Sequence, residues 1–259
     1  MIDYAYAAAG ALTGLVVGLT GVGGGALMTP ILLLFFGVAP STAIATDLWF
    51  AAITKLVGAR AHNKAGQVDW QVARRLWAGS LPMAFLIVLM AWLDFPVAKA
   101  DGLTKAIGIT VLLTALGLLF APGLLTRARR SRLGNLAEAR NLQAYMTIVG
   151  GMALGLCVAL TSVGAGALGS VALLYLYPQR MTPHRLVATD LVHAIPLAMV
   201  AGLGYLFAGM VDWRMLISLL AGSIPAILVS SMLAGRVSGR HVQLALALVL
   251  LAAGAKTLV

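Results

Sequence analysis

Hydrophobic residues occupy eight long segments of the chain, and polar residues are concentrated between them. The segments cover residues 4–36, 43–59, 75–93, 103–121, 142–177, 186–207, 214–233 and 241–258. An apolar helix of about 20 residues crosses the hydrocarbon core of a bilayer, and a helix satisfies its own backbone polar groups there. The alternation typical of a barrel strand is absent. The pattern therefore predicts an all-α integral membrane protein.

Two segments, 4–36 and 142–177, are too long for one straight crossing. At about 1.5 Å per residue they would span about 50 Å, against a core of about 30 Å. Each contains a glycine-rich stretch near its middle. Each is therefore predicted to form two short helices around a break. The two arms either cross the membrane once or turn back as a re-entrant hairpin.

Composition supports a membrane location and excludes other classes. Hydrophobic residues make up 61% of the chain and charged residues 10%, with a mean hydropathy of +0.98. The net charge of +10 comes from basic residues mostly in short loops, which is typical of membrane topology and not of nucleic-acid binding. One cysteine, Cys157, excludes an internal disulfide. No motif indicates a metal, a cofactor or hydrolytic catalysis, so we expect no enzyme activity.

The two halves of the chain repeat four strings in the same order. Residues 20–27 return as 161–168, at an offset of 141. The other three return at an offset of 143: 45–48 as 188–191, 68–70 as 211–213, and 78–82 as 221–225. This order indicates an internal duplication with one short insertion. Duplicated membrane halves with a glycine break in corresponding positions are typical of transporters whose site lies between the repeats.

Basic residues favour the hairpin over the single crossing. With hairpins, thirteen lysines and arginines lie on the cytoplasmic side and four outside; with single crossings the division is eleven to six. Each half then has a hairpin and three spans, so the halves insert in opposite orientations. We predict two inverted repeats, at 1–125 and 142–259, joined by a basic cytoplasmic linker at 126–141.

The glycine breaks are the first candidate for binding chemistry. A broken helix exposes backbone N–H groups at the start of its second arm, where the helix dipole also favours an anion. Nearby hydroxyls add donors, although close packing of small residues is the alternative explanation. The candidate substrate-binding residues here are Thr20, Gly23, Gly24, Gly25, Thr161, Ser162, Gly164 and Gly166.

Ionisable residues inside spans are the second candidate, because they are costly in a bilayer and usually functional. Asp47 and Asp190 occupy corresponding positions of the two halves. Lys55 lies two turns beyond Asp47, and His193 one turn beyond Asp190. We predict that Lys55 and His193 bind an anion while Asp47 and Asp190 take up protons. A static network that only holds the helices in register is the alternative. Asp69 and Asp212 are expected to cap helices.

At the glycine breaks, the Ala45-Thr46 and Ala188-Thr189 pairs and the turn from Gly66 to Trp70, the chain resembles the TauE/SafE family of sulfite exporters and sulfonate permeases. The resemblance covers nearly the whole chain. It implies movement of small sulfur-containing anions, usually outward across the bacterial inner membrane. Thr46 and Thr189 join the substrate-binding candidates on this basis. Asp47 departs from many members, which have an apolar residue or a small hydroxyl there.

The sequence thus predicts a multi-pass inner-membrane secondary transporter, an exporter of sulfite or organosulfonates by alternating access, with or without proton coupling. A channel or uniporter for another small oxyanion is the alternative. The expected partners are the anion, protons and the lipid bilayer, with no nucleic acid. An oligomer is compatible with the sequence but not predicted.

Overall fold

The structure, a computed structural model, describes residues 2–20, 25–62, 67–93, 100–130, 136–164, 166–233 and 239–258. Within these ranges the regular secondary structure is helical, as predicted. The helices are α1 Tyr4–Thr20, α2 Gly25–Phe36, α3 Pro40–His62, α4 Trp70–Trp92, α5 Ala100–Arg130, α6 Leu136–Thr161, α7 Ala167–Leu176, α8 Pro183–Phe207, α9 Trp213–Leu233 and α10 Gly239–Leu258.

Five segments of the described chain are long and apolar enough to cross a membrane: Trp70–Trp92, Gly102–Phe120, Asn141–Thr161, His184–Phe207 and Trp213–Met232. Large apolar side chains such as Phe85, Phe120 and Met232 face outward, while the side chains of Asp47, Lys55 and Asp190 lie inside. An apolar exterior of this kind suits a lipid environment. Helix α3 is not among the five, and it carries two of the buried charges.

Both predicted breaks lie where one helix ends and another begins. Helix α1 ends at Thr20 and α2 begins at Gly25, with residues 21–24 outside the described part of the chain. Helix α6 ends at Thr161 and α7 begins at Ala167. At the second break Ser162 has a φ of 60° and Gly164 a φ of 119°, so the backbone leaves the helical conformation there. Only Gly adopts such values without strain.

Side chains at the helix starts act as expected from the sequence. The Asp69 carboxylate accepts a hydrogen bond from the Val72 backbone N–H at 3.3 Å, and Asp212 accepts one from Met215 at 3.0 Å. Each bond satisfies one of the N–H groups that a helix start leaves free. The predicted caps of α4 and α9 are confirmed.

Helix contacts come in corresponding pairs. Helix α1 packs against α9 and α6 against α4; likewise α3 packs against α9 and α8 against α4. Helix α3 also packs against α8, and α5 against α10. Each helix of one half therefore has partners in the other half, and the contacts of α1 and α9 correspond to those of α6 and α4.

The predicted basic linker between the two halves is mostly helical. Helix α5 continues to Arg130 and α6 begins at Leu136, so most of the predicted linker at 126–141 belongs to helices. Its alanines, leucines and arginines are good helix formers, which explains the extension. Residues 131–135, which include the predicted break at Gly134, lie outside the described residues.

Candidate functional site

Helices α3 and α8 bring four buried ionisable side chains into one region. Asp47 and His193 are fully buried, Asp190 is 1% exposed and Lys55 is 3% exposed. We call Asp47, Lys55, Asp190 and His193 the buried charge cluster. Burial of charges is costly unless they are paired or hydrogen-bonded. The partners of each member therefore decide what the cluster can do.

Lys55 and Asp190 form the ion pair of the cluster. Lys55 Nζ lies 3.9 Å from Asp190 Oδ2, at the long end for an ion pair. Neither Lys55 Nζ nor either carboxylate oxygen of Asp190 has a hydrogen-bond partner among the described residues. Since buried polar atoms are usually satisfied, this pair retains capacity for further ligands.

Histidine 193 is held by two residues of α4. Its Nε2 lies 3.0 Å from the Ser80 hydroxyl, and its backbone carbonyl accepts a hydrogen bond from the Trp77 indole at 3.2 Å. Its Nδ1 has no partner within the described part of the chain. Ser80 thus fixes the ring and leaves one ring nitrogen free. The sequence analysis did not select Ser80, although it lies in one of the repeated strings.

The Asp47 carboxylate is held by α2. Its Oδ2 accepts hydrogen bonds from the Thr29 hydroxyl at 2.5 Å and from the Thr29 backbone N–H at 3.2 Å. Its Oδ1 has no hydrogen-bond partner in the described ranges. The hydroxyl of Ser162, at the second break, faces this carboxylate but falls short of hydrogen-bond geometry. The sequence pattern does not indicate Thr29 as a partner of Asp47, because the two residues meet only through the packing of α2 against α3.

The Asp190 carboxylate lies against the first turn of α7. A Cβ built on Gly169 would come within 2.8 Å of Asp190 Oδ1, so only glycine leaves room for this approach. The start of a helix favours negative charge. The Asp190 carboxylate therefore lies beside the helix start at which the sequence predicts a bound anion.

Three threonines predicted to bind substrate form hydrogen bonds within the protein. Thr46 Oγ1 accepts a hydrogen bond from the Asp212 backbone N–H at 3.3 Å, and Thr189 Oγ1 accepts one from Asp69 at 3.0 Å. Thr161 Oγ1 donates to the Cys157 carbonyl at 2.6 Å and closes the end of α6. These bonds connect or terminate helices.

The predicted break residues divide into three groups. Ser162 faces the cluster, as described above. Gly164 lies in the turn between α6 and α7, and Gly25 and Gly166 stand at the starts of α2 and α7. The side chain of Thr20, Gly23 and Gly24 lie outside the described residues.

A bundle of apolar helices that encloses a buried charge cluster beside two broken helices defines a membrane transport protein. The comparisons with known proteins agree. The model of the family "Sulfite exporter TauE/SafE" matches residues 6–257, and the chain belongs to this family. The predicted resemblance is confirmed, and the protein is a membrane transporter of this family.

Several bacterial relatives carry the same description. "Probable membrane transporter protein YjnA" of Bacillus subtilis is 36% identical over 95% of this chain and 96% of its own length. "Probable membrane transporter protein YdhB" of the same organism is 27% identical over 82% of each chain. A "Probable membrane transporter protein" of Xylella fastidiosa is 26% identical over 88% of this chain and 84% of its own. No solved structure matches the chain.

Proposed function

We propose that the protein is a secondary transporter that exports small sulfur-containing anions, such as sulfite or organosulfonates, across the bacterial inner membrane. One observation carries the proposal: Lys55 is buried, and among the described residues its ammonium group contacts the protein only through a long ion pair with Asp190. A buried cation with spare hydrogen-bonding capacity suits an anionic ligand. The family description supplies the class of anion.

The anion binds by replacing Asp190 as the partner of Lys55. The ammonium group has three donors, and the free Nδ1 of His193 offers a further polar contact. His193 keeps its orientation because Ser80 holds the opposite ring nitrogen. A small oxyanion with several acceptor oxygens fits this arrangement, whereas a large or apolar solute leaves the polar atoms unsatisfied.

Proton coupling follows from the displacement of Asp190. A carboxylate that loses its lysine in a buried environment becomes neutral by taking up a proton. Asp47 is a less suitable carrier, because its Oδ2 already accepts two hydrogen bonds from Thr29, whereas neither carboxylate oxygen of Asp190 has a hydrogen-bond partner among the described residues. The proton that accompanies the anion is therefore assigned to Asp190.

Alternating access is supported by the corresponding contacts of the two halves. The Asp212 backbone N–H of the second half bonds to Thr46 of the first half, and the Asp69 backbone N–H of the first half bonds to Thr189 of the second. Asp69 corresponds to Asp212 and Thr46 to Thr189, so the two bonds are equivalent. An exchange of this kind is expected for two inverted repeats, in which one conformation opens to each side. Multi-pass insertion in the inner membrane belongs to the same proposal.

The first test is thermal stabilisation of the purified protein by anions, since a ligand of the folded state raises its apparent stability. Sulfite, sulfate, thiosulfate, sulfoacetate, taurine and chloride are compared at equal ionic strength. We expect selective stabilisation by a sulfur-containing anion, and loss of that effect in Lys55→Ala. The control is Lys105→Ala, because Lys105 is an exposed lysine outside the cluster. A stabilisation that persists in Lys55→Ala contradicts the binding role of Lys55.

Transport itself is measured in vesicles loaded with the stabilising anion. A transporter gives an efflux rate that saturates and is accelerated by the same anion on the opposite side. Flux that rises in proportion to concentration, without counterflow, would show a channel instead. No stabilisation by any sulfur anion, together with no efflux, overturns the substrate assignment.

A further inference from the structure

The charges of the buried cluster do not balance. Two carboxylates, Asp47 and Asp190, face one ammonium group, Lys55. Lys55 pairs with Asp190 at 3.9 Å, and no cationic side chain lies within 4 Å of Asp47 among the described residues. His193 does not fill this role, because neither of its ring nitrogens lies within 4 Å of a carboxylate oxygen of Asp47 in the described chain. A fully buried carboxylate needs a compensating positive charge.

The contacts of Asp47 indicate whether a proton or another cation compensates its charge. Both hydrogen bonds from Thr29 are donated to Oδ2, which suits an ionised carboxylate because that form only accepts. A proton on Oδ1 would need an acceptor, and the facing Ser162 hydroxyl is not at hydrogen-bond geometry. Asp47 Oδ1 and the Ser162 hydroxyl are therefore neighbouring buried oxygens, and neither meets hydrogen-bond geometry with any partner among the described residues.

Carbonyl groups at the end of α6 are candidates for further oxygen ligands, although that of Val158 already accepts from the Ser162 backbone N–H and that of Ala159 from the Tyr205 hydroxyl. Ser162 follows the last residue of α6 and has a φ of 60°, so it stands where the helix has ended. The last carbonyl groups of a helix lack partners within the helix, and broken membrane helices use such carbonyls to coordinate cations. The negative end of the α6 dipole acts in the same direction.

The two halves differ in what surrounds their buried aspartates: a serine hydroxyl lies at the break beside Asp47, but the corresponding break residue of the other half has no hydroxyl. The position corresponding to Ser162 is Gly21, which has no hydroxyl. The position corresponding to Lys55 is Ala198. The chain thus provides a fixed ammonium group for Asp190, and hydroxyl oxygens without a fixed cation for Asp47.

We propose that a monovalent cation of the Na⁺ type binds between Asp47 Oδ1 and the Ser162 hydroxyl, at the break between α6 and α7. Oxygen ligands suit a hard cation, and a single carboxylate balances one charge. A divalent ion would leave an excess positive charge beside Lys55. With the cation bound, the cluster is neutral when Asp190 pairs with Lys55, and also when a singly charged anion replaces a protonated Asp190. That role in transport rests on the proposed function, but binding of the cation does not.

The test is thermal unfolding of the purified full chain without any sulfur anion, in equal concentrations of NaCl, KCl or choline chloride. We expect NaCl to raise the Tm by about 5 °C over choline chloride, as for a ligand present well above its dissociation constant. In Ser162→Gly this difference is lost. The variant should fold, because glycine tolerates the backbone conformation of Ser162.

Ser223→Ala is the matched control. Ser223 is also a buried serine whose hydroxyl has no hydrogen-bond partner in the described chain, and its removal should leave the Na⁺ effect intact. A Tm that is equal in NaCl and choline chloride but changes with pH would show a proton at Asp47 and overturn the cation site. A Na⁺ effect that survives in Ser162→Gly overturns it as well. Because chloride is constant and no sulfur anion is present, failure here is distinguishable from failure of the anion assay.

Discussion

Lys55 and His193 are two residues of the buried charge cluster that have no ionisable counterpart in the other half. The position corresponding to Lys55 is Ala198, and the position corresponding to His193 is Phe50. The aspartates, by contrast, occur in both halves. Both additions contribute to one cluster, since α3 and α8 pack together. The buried charge cluster is therefore not symmetric between the two halves.

Replacement of Asp190 tests the proton step at the level of one residue. In Asp190→Asn the side chain is neutral at every pH, so efflux should lose its dependence on pH while the wild type slows as the pH rises. The rate is measured in vesicles between about pH 6 and 8 with sulfoacetate, whose charges stay constant over that range.

The control for this variant is Asp212→Asn. Asp212 is exposed and caps α9, and asparagine caps a helix about as well as aspartate. Its pH profile should match that of the wild type. An unchanged pH profile in Asp190→Asn would remove Asp190 from the coupling scheme.

The sequence was sufficient to find the cluster but not its supports. Asp47, Lys55, Asp190 and His193 are recognisable because charges inside apolar helices are rare. Thr29 and Ser80 are not, because hydroxyls are common in membrane helices and their partners lie on other helices. The only sign of Ser80 in the sequence is that it recurs as Ser223 in a repeated string. Thr46 and Thr189 were predicted from family resemblance, and the structure uses their hydroxyls to hold the starts of neighbouring helices.

At the scale of the helices, glycines set how closely the two halves approach. A Cβ on Gly14 would lie 2.6 Å from the Ser223 carbonyl oxygen, and one on Gly155 would lie 2.4 Å from that of Ser80. These two contacts occupy corresponding positions, in the pair α1–α9 and in the pair α6–α4. Small residues allow such close packing of membrane helices. Each pair is therefore expected to move as one body.

Two neighbouring glycines of α6 provide a test of this packing. A Cβ on Gly151 would lie 2.6 Å from the Leu76 carbonyl oxygen, whereas one on Gly150 would meet no atom within 4 Å. Gly151→Ala should therefore lower the stability by about 1–3 kcal/mol through overpacking. Gly150→Ala should leave it unchanged or raise it by up to about 1 kcal/mol. Thermal unfolding of both variants in the same detergent gives the comparison, and equal Tm values would contradict it.

The lengths of the helices were less predictable than their number. Apolar runs and their breaks indicate where a helix enters and leaves the membrane, so α4, α8 and α9 agree closely with the sequence pattern. Helices α5 and α6 extend further, because helix-forming polar residues continue them beyond the apolar segments. Hydropathy contains no information about that continuation.

At the scale of the whole molecule, one ion pair joins the halves at one end. Arg180, in the turn between α7 and α8, contacts Asp69 through Nε–Oδ2 at 2.5 Å and through a second nitrogen to Oδ1 at 3.0 Å. The same nitrogen donates to Gln71 at 3.0 Å. The corresponding turn of the first half, 37–39, consists of Gly-Val-Ala. The short insertion that separates the repeat offsets falls in this region of the second half.

Removal of this ion pair should favour the conformation that opens at its end. A partly exposed ion pair contributes about 1 kcal/mol, which corresponds to about a fivefold change in a two-state equilibrium. In a Cys157→Ala background, Ser80→Cys reports access to the cluster through its reaction with an impermeant maleimide. We expect Arg180→Ala to raise the labelling rate about fivefold from the cytoplasmic side, measured in inverted vesicles.

The control for this measurement is Arg185→Ala. Arg185 lies in the first turn of α8 and forms no ion pair in the described ranges. Its removal should leave the labelling rate unchanged. Equal rates for Arg180→Ala and Arg185→Ala would show that the ion pair does not control access.

The glycine contacts between α1 and α9 and between α6 and α4 also bear on ancestry. Since each half covers the first helix of the other, a half-length ancestor could bury that surface only against a second copy of itself. In such a homodimer every side chain occurs twice, so a lysine at the centre would face an identical lysine. Two copies joined in one gene are free of that constraint. An ammonium group could then arise in one half and an imidazole in the other, each introduced once.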